Sequence, residues 1–129
     1  MSKSVRKKNP AVLVVEDDAV YANGIQLFLK NQYNYITVKT VATIREAFEC
    51  IQKESYDVVC SDYKLPDGTG IELCEMAQKI REQNFVILSV WDQEECSENF
   101  SALPIKKWIP KIPFAPEIIV EAILGESDE

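Results

Sequence analysis

The sequence predicts an α/β fold: a five-stranded parallel sheet, doubly wound in the order 2-1-3-4-5, with helices on both faces. Two observations predict it. Apolar strand-like runs alternate along the chain with helical stripes, which gives parallel strands joined by right-handed crossovers. The strands also sort by polarity, three nearly continuous in apolar residues and two interrupted, as in a sheet with a covered centre and open edges. A chain of 129 residues suits one such domain with one core.

The first strand is "AVLVV" (11–15), an unbroken apolar run followed by a helix over 18–31 in which Tyr21, Ile25 and Phe28 keep helical spacing. The second, "YITVKTV" (35–41), alternates Ile36, Val38 and Thr40 against Thr37 and Lys39, so one face is wet and the strand belongs at the side. A helix over 43–54 leads to the third strand, "DVVCSD" (57–62), again apolar and therefore central. The next helix spans 70–83, with Leu73, Ala77 and Ile80 on one stripe, and the fourth strand is "FVILSV" (85–90). After a helix over 93–102 comes "IKKWIP" (105–110), which carries Lys106, Lys107 and Pro110. Proline donates nothing to a ladder, so this fifth strand is an edge. The last helix, 116–124, aligns Ile119 with Ile123. Residues 1–9 form a basic arm (Lys3, Arg6, Lys7, Lys8) expected to be disordered, residues 10–125 the folded body, and 126–129 an acidic frayed tail.

Composition removes several functions. The net charge of −7 argues against direct nucleic-acid binding by the body. No apolar run is long enough for a bilayer, and the start lacks a secretory pattern, so no membrane partner is expected. Cys50, Cys60, Cys74 and Cys96 show no metal spacing and sit in apolar or helical patterns, which predicts reduced thiols and a cytoplasmic setting. The chain has no histidine. Histidine metal sites, Ser–His or Cys–His nucleophile pairs and a phosphohistidine carrier are excluded with it.

The predicted strand order fixes where chemistry can occur. Ligands of such sheets bind beyond the carboxyl ends of the strands where the winding reverses, here between strands 1 and 3. Strand 1 runs straight into Glu16, Asp17 and Asp18, and strand 3 ends at Asp62. Singly, these acids have plainer uses: Asp17 or Asp18 could cap the following helix, and Asp62 could open the turn "DYKLPDGTG". Together, carboxylates so close hold one another partly protonated unless a cation joins them, and Mg2+ suits one or two carboxylates and phosphate oxygens. Ser89 at the end of strand 4 and Lys111 after strand 5 face the same crevice. Acids, a hydroxyl and a lysine around Mg2+ make a phosphoryl site in which an acid attacks in line.

These residues give the chain a specific likeness. From about Pro10 to Leu124 it resembles the response-regulator receiver domain of two-component signalling, a flavodoxin-like fold, through "VVEDD", "DVVCSDYKLPDGTG", Ser89, Lys111 and Trp108 three places before that lysine. The resemblance implies that Asp62 accepts a phosphoryl group from a sensor histidine kinase or phosphotransfer protein. It implies Mg2+ held by Asp17, Asp62 and the Lys64 carbonyl, and through water by Glu16. Ser89 and Trp108 would then act as the switch that alters the face of the fourth helix, fifth strand and fifth helix for a downstream effector protein or domain. Such a protein is a regulatory phosphoacceptor and not an enzyme; a haloacid-dehalogenase-like hydrolase would need an acid where Lys64 stands, and a flavin carrier would need a phosphate-cradling loop after strand 1.

The chain departs from that family's pattern at three places. Val90 and Trp91 follow the strand-4 hydroxyl where a small residue is usual, and the hypothesis is that Trp91 hinders water and prolongs an aspartyl phosphate. Ile112 separates Lys111 from Pro113, so the loop is either trans or carries its cis bond at Ile112–Pro113. Pro104 stands where a glycine is common. These departures suit an alternative, a receiver-like interaction module that works without phosphorylation.

Overall fold

The computed structural model describes residues 9–33, 35–91 and 102–125. The central sheet contains β1 (Ala11–Val15), β2 (Thr37–Val41), β3 (Val58–Asp62), β6 (Asn84–Ser89) and β7 (Ile105–Pro110). All are parallel and lie in the order β2-β1-β3-β6-β7, which is the expected 2-1-3-4-5 winding. A small antiparallel pair, β4 (Lys64–Leu65) with β5 (Gly68–Thr69), follows β3. The helices are α1 (Ala19–Gln32), α2 (Ile44–Lys53), α3 (Gly70–Gln78) and α4 (Pro116–Leu124). The helix expected over 93–102 lies outside the described residues, apart from its last position, which is a turn. So do Cys96, the basic arm except Asn9, and the acidic tail.

The period of two along each strand divides the core between the sheet's faces. Val12, Val14, Cys60, Val86 and Leu88 pack toward α1 and α4, against Ala22, Ile25, Leu29, Ile119 and Ile123. Leu13, Val15, Val59, Phe85 and Ile87 pack the other way, against Ile44, Ala47 and Ile51 of α2 and Leu73, Cys74 and Ala77 of α3. Each fully buried aliphatic or phenyl side chain stabilises the fold by roughly 1.5–3 kcal/mol. The edge strands are the exposed ones, with Thr37, Lys39 and Thr40 of β2 and Lys106, Lys107 and Pro110 of β7 at the surface.

Helix ends follow local chemistry. Asp18 caps α1, its carboxylate accepting from the amides of Val20 and Tyr21 at 3.0 and 3.3 Å. Thr69 and Glu72 form a capping box at α3. Asp67 reaches across to the start of α2, accepting from Ile44 and Arg45 at 2.8 and 3.1 Å, and these bonds hold its carboxyl below the usual range. Arg81 closes the other end of α2 by donating to the carbonyls of Ile51 and Glu54. The third helix ends five residues before its predicted limit: Lys79 and Ile80 turn back onto Met76 and Ala77, which leaves Ile80 off the buried stripe and 39% exposed. Among the described residues, no helix is long and apolar enough to cross a membrane.

Candidate functional site at the carboxyl end of the sheet

Parallel register carries the ends of β1 and β3 to one edge of the sheet. Val15 pairs with Ser61, so the next residues, Glu16 and Asp62, emerge side by side. Asp62 in turn pairs with Leu88, and Ser89 pairs with Pro110, which places Ser89 and Lys111 beside them. The three consecutive acids after β1 separate by role. Asp18 is spent on the helix cap, Glu16 folds inward to 3% exposure, and Asp17 stays at the exposed mouth.

Carboxylate oxygens of Glu16, Asp17 and Asp62 lie within 4.8 Å of one another. The Lys111 ammonium bridges two of them, with Nζ 3.0 Å from Glu16 Oε1 and 3.1 Å from Asp62 Oδ2. Glu16 Oε2 accepts from the Asp18 amide and from Lys111, each at 3.1 Å. Its Oε1, although close to the ammonium, is buried with no donor aligned on it. Burial and then the charge of Asp62 push the Glu16 carboxyl up to about 7. Burial likewise raises Asp62, against the pull of Lys111. Burial draws the lysine downward, but Glu16 and Asp62 outweigh it and hold the ammonium protonated.

This donor set fits a divalent cation. Three carboxyl groups cluster with one ammonium, more acid than a single positive charge can balance once all are ionised, and one buried oxygen lacks an aligned donor. The loop after β3 offers a neutral oxygen as well. Gly70 donates to the Tyr63 carbonyl at 2.8 Å and Thr69 donates to Glu72 at 3.0 Å, so the Lys64 carbonyl falls outside the β4–β5 ladder. The loop is tightly built: a Cβ on Gly70 would meet the Asp62 carbonyl at 2.6 Å and Ser61 Oγ at 2.9 Å.

Ser89 is 1% exposed, and its hydroxyl accepts from the Trp91 amide at 2.9 Å. Trp108 is half-buried, and its indole donates to the Trp91 carbonyl at 3.1 Å. Tyr63 lies between the two tryptophans, its ring centroid 6.1 Å from Trp91 and 5.5 Å from Trp108. Lys64 Nζ sits 5.8 Å from the Trp91 ring. The loop after Lys111 takes its cis bond at Ile112–Pro113, one of the two forms the sequence left open.

All seven sequence-derived positions thus lie toward this end of the sheet, Lys64 with its side chain exposed. Sequence reasoning missed Tyr21, Tyr63 and Asp67. Tyr21 reads as part of the core stripe with Ile25 and Phe28, yet its hydroxyl donates to the Lys111 carbonyl at 3.1 Å and its ring faces Lys111 Nζ at 4.7 Å. Asp67 reads as turn chemistry in "LPDG", and only the fold brings α2 beside it.

Comparison with known proteins agrees with this geometry. The family model for the response regulator receiver domain matches residues 12–124. The regulatory protein VanR of Enterococcus faecium is 40% identical over 118 residues, covering 89% of this chain and 48% of VanR, so the chain spans about half that relative's length. A CheY-like receiver domain protein from Methanospirillum hungatei JF-1 superposes with a TM-score of 0.78 at 26% identity, over 93% of this chain and 91% of that one. A BeF3-activated DrrB receiver domain superposes with a TM-score of 0.72 at 29% identity, over 86% and 91% of the two chains. With the winding, the crevice and a family match over nearly its whole length, the chain belongs to the response regulator receiver domains of two-component signalling.

Proposed function

We propose that this chain is a phosphoacceptor switch that takes a phosphoryl group onto Asp62 from the phosphohistidine of a sensor histidine kinase or phosphotransfer protein. The observation that carries the reading is the Lys111 ammonium held between Glu16 and Asp62, with Asp17 completing a carboxylate cluster. Asp62 is the acid with the right surroundings for attack: it is 6% exposed, ends a central strand, and keeps one oxygen on the lysine. In the transfer, a carboxylate oxygen of Asp62 forms a bond to phosphorus while the phosphorus–nitrogen bond breaks. The bonding pair leaves with the donor imidazole. Lys111 meets charge on a phosphoryl oxygen, and Ser89, already at the edge of the crevice, donates its hydroxyl to another.

Asp17, Asp62 and the Lys64 carbonyl would hold Mg2+, with Glu16 acting through water. The ion's contribution is to neutralise the clustered acids and the incoming phosphoryl oxygens. Once Ser89 turns toward the new phosphoryl group, its bond from the Trp91 amide is given up. Trp108, tethered to the same residue's carbonyl, then feels the change and passes it to the face around β7 and α4 for an effector protein or domain. The reading includes a regulatory role without turnover of other substrates, and a basic arm and acidic tail flanking the receiver body.

Beryllofluoride with Mg2+ tests this against the phosphate-independent module. The switch reading expects the fluorescence of Trp91 and Trp108 to change in the wild type and not in Asp62→Asn. Silence in both proteins would support the module and overturn the reading.

A further inference from the structure

Tyr21 stands in the first turn of α1 and touches Lys111 at both ends of that residue. Its hydroxyl donates to the lysine's carbonyl at 3.1 Å, and its ring face lies 4.7 Å from Nζ. Phe114 braces the ring edge-on, with centroids 5.0 Å apart and planes at 65°. Gly24 makes room for that brace, since a Cβ there would come within 3.3 Å of Phe114 Cζ. Lys111 needs such support. It leaves β7 held by one backbone bond, its amide to the Ser89 carbonyl at 2.9 Å, and the next residue, Ile112, is 73% exposed.

We propose that Tyr21 is a positioning residue for Lys111: the hydroxyl fixes the lysine's backbone and the ring face fixes its ammonium, so that the charge arrives between Glu16 and Asp62. The inference deepens the phosphoacceptor reading and rests on it. A flexible four-carbon side chain loses rotamer freedom when it docks, and a rigid aromatic wall removes part of that freedom beforehand. The ammonium is then already placed when a phosphoryl oxygen reaches Asp62.

The first of two readouts compares the ligand binding of wild type, Tyr21→Phe and Tyr21→Leu, and two ligands separate the outcomes. Mg2+ engages the acids, whereas beryllofluoride bound in the presence of saturating Mg2+ also needs Lys111. Tyr21→Leu should bind beryllofluoride about tenfold more weakly while its Mg2+ affinity is not weakened. Tyr21→Phe, which keeps the ring, should recover most of the loss. Equal weakening of both ligands in Tyr21→Leu would mean that the crevice has merely collapsed and would overturn the inference, as would unchanged beryllofluoride binding. The second readout needs neither ligand nor variant. In metal-free wild type, NMR should find the ε-methylene protons of Lys111 shifted upfield by the Tyr21 ring, and ordinary lysine shifts would refute the contact. Failure of wild type itself to bind beryllofluoride would overturn the phosphoacceptor reading, a result distinct from either of these.

Discussion

Replacing Lys111 by methionine isolates the electrostatics of the crevice. The substitution keeps a long apolar stem and removes the only ammonium among the described residues that lies within 3.1 Å of both Glu16 and Asp62. Removing one partner from a buried ion pair typically costs about 3–5 kcal/mol. Here the cost is smaller, because the lysine side chain keeps 14% exposure and the orphaned acids can take up a proton. We expect about 2–3 kcal/mol at pH 7 without metal, seen as a fall of about 1–2 M in the urea midpoint. Two controls follow from the same charges. In an Asp62→Asn background one acid is already gone, so the lysine's loss should cost less by about 1–2 kcal/mol. Added Mg2+ should restore much of the stability of Lys111→Met by supplying positive charge to the same oxygens. Equal destabilisation in both backgrounds, with no response to Mg2+, would show that Lys111 only packs there and would refute the reasoning.

Other outcomes follow from neighbouring features. Glu16 is raised from 4.5 to about 7 in the fold, so the folded protein binds the extra proton and metal-free stability should fall as pH climbs through that window. The full shift corresponds to about 3 kcal/mol, which water at the open mouth reduces to about 1–2 kcal/mol; urea unfolding at pH 5 and pH 8 measures it, and a flat or rising profile would contradict it. Gly70→Ala should destabilise by about 1–3 kcal/mol and weaken Mg2+ binding, because its Cβ would press on the Asp62 carbonyl at 2.6 Å; isothermal titration of the folded variant checks the second effect. Trp91→Ala should shorten the lifetime of the aspartyl phosphate by opening the space beside Tyr63 and Lys64, and an unchanged rate of phosphate release removes that role for Trp91.

The winding and the acids were legible in the sequence for one physical reason. Burial on both faces makes β1, β3 and β6 nearly continuous in apolar residues, and that same burial fixes which strand ends meet. Pro110 announced its edge strand because a missing amide cannot be hidden inside a sheet. What stayed illegible depends on contacts distant in sequence. Tyr21 shares the period of the core stripe, and nothing in a heptad of α1 reveals that a lysine 90 positions later will lie over its ring. Asp67 looks like an ordinary turn residue until α2 presents its bare amides. The early end of α3 was hidden because Ile80 fits the helical stripe although the backbone has already turned. The pair β4–β5 reads in the sequence only as the turn "DYKLPDGTG", because its two-residue strands are too short to carry a period.

The claim beneath all of this is that Asp62 is a nucleophile prepared by its neighbours and by a divalent cation. Incubation with acetyl phosphate followed by intact-mass measurement examines it directly. The account predicts one added phosphoryl group with Mg2+, none after chelation, and none in Asp62→Asn. Phosphorylation that persists in the chelated sample or in Asp62→Asn would contradict it, and so would a wild type that stays unmodified with Mg2+ present.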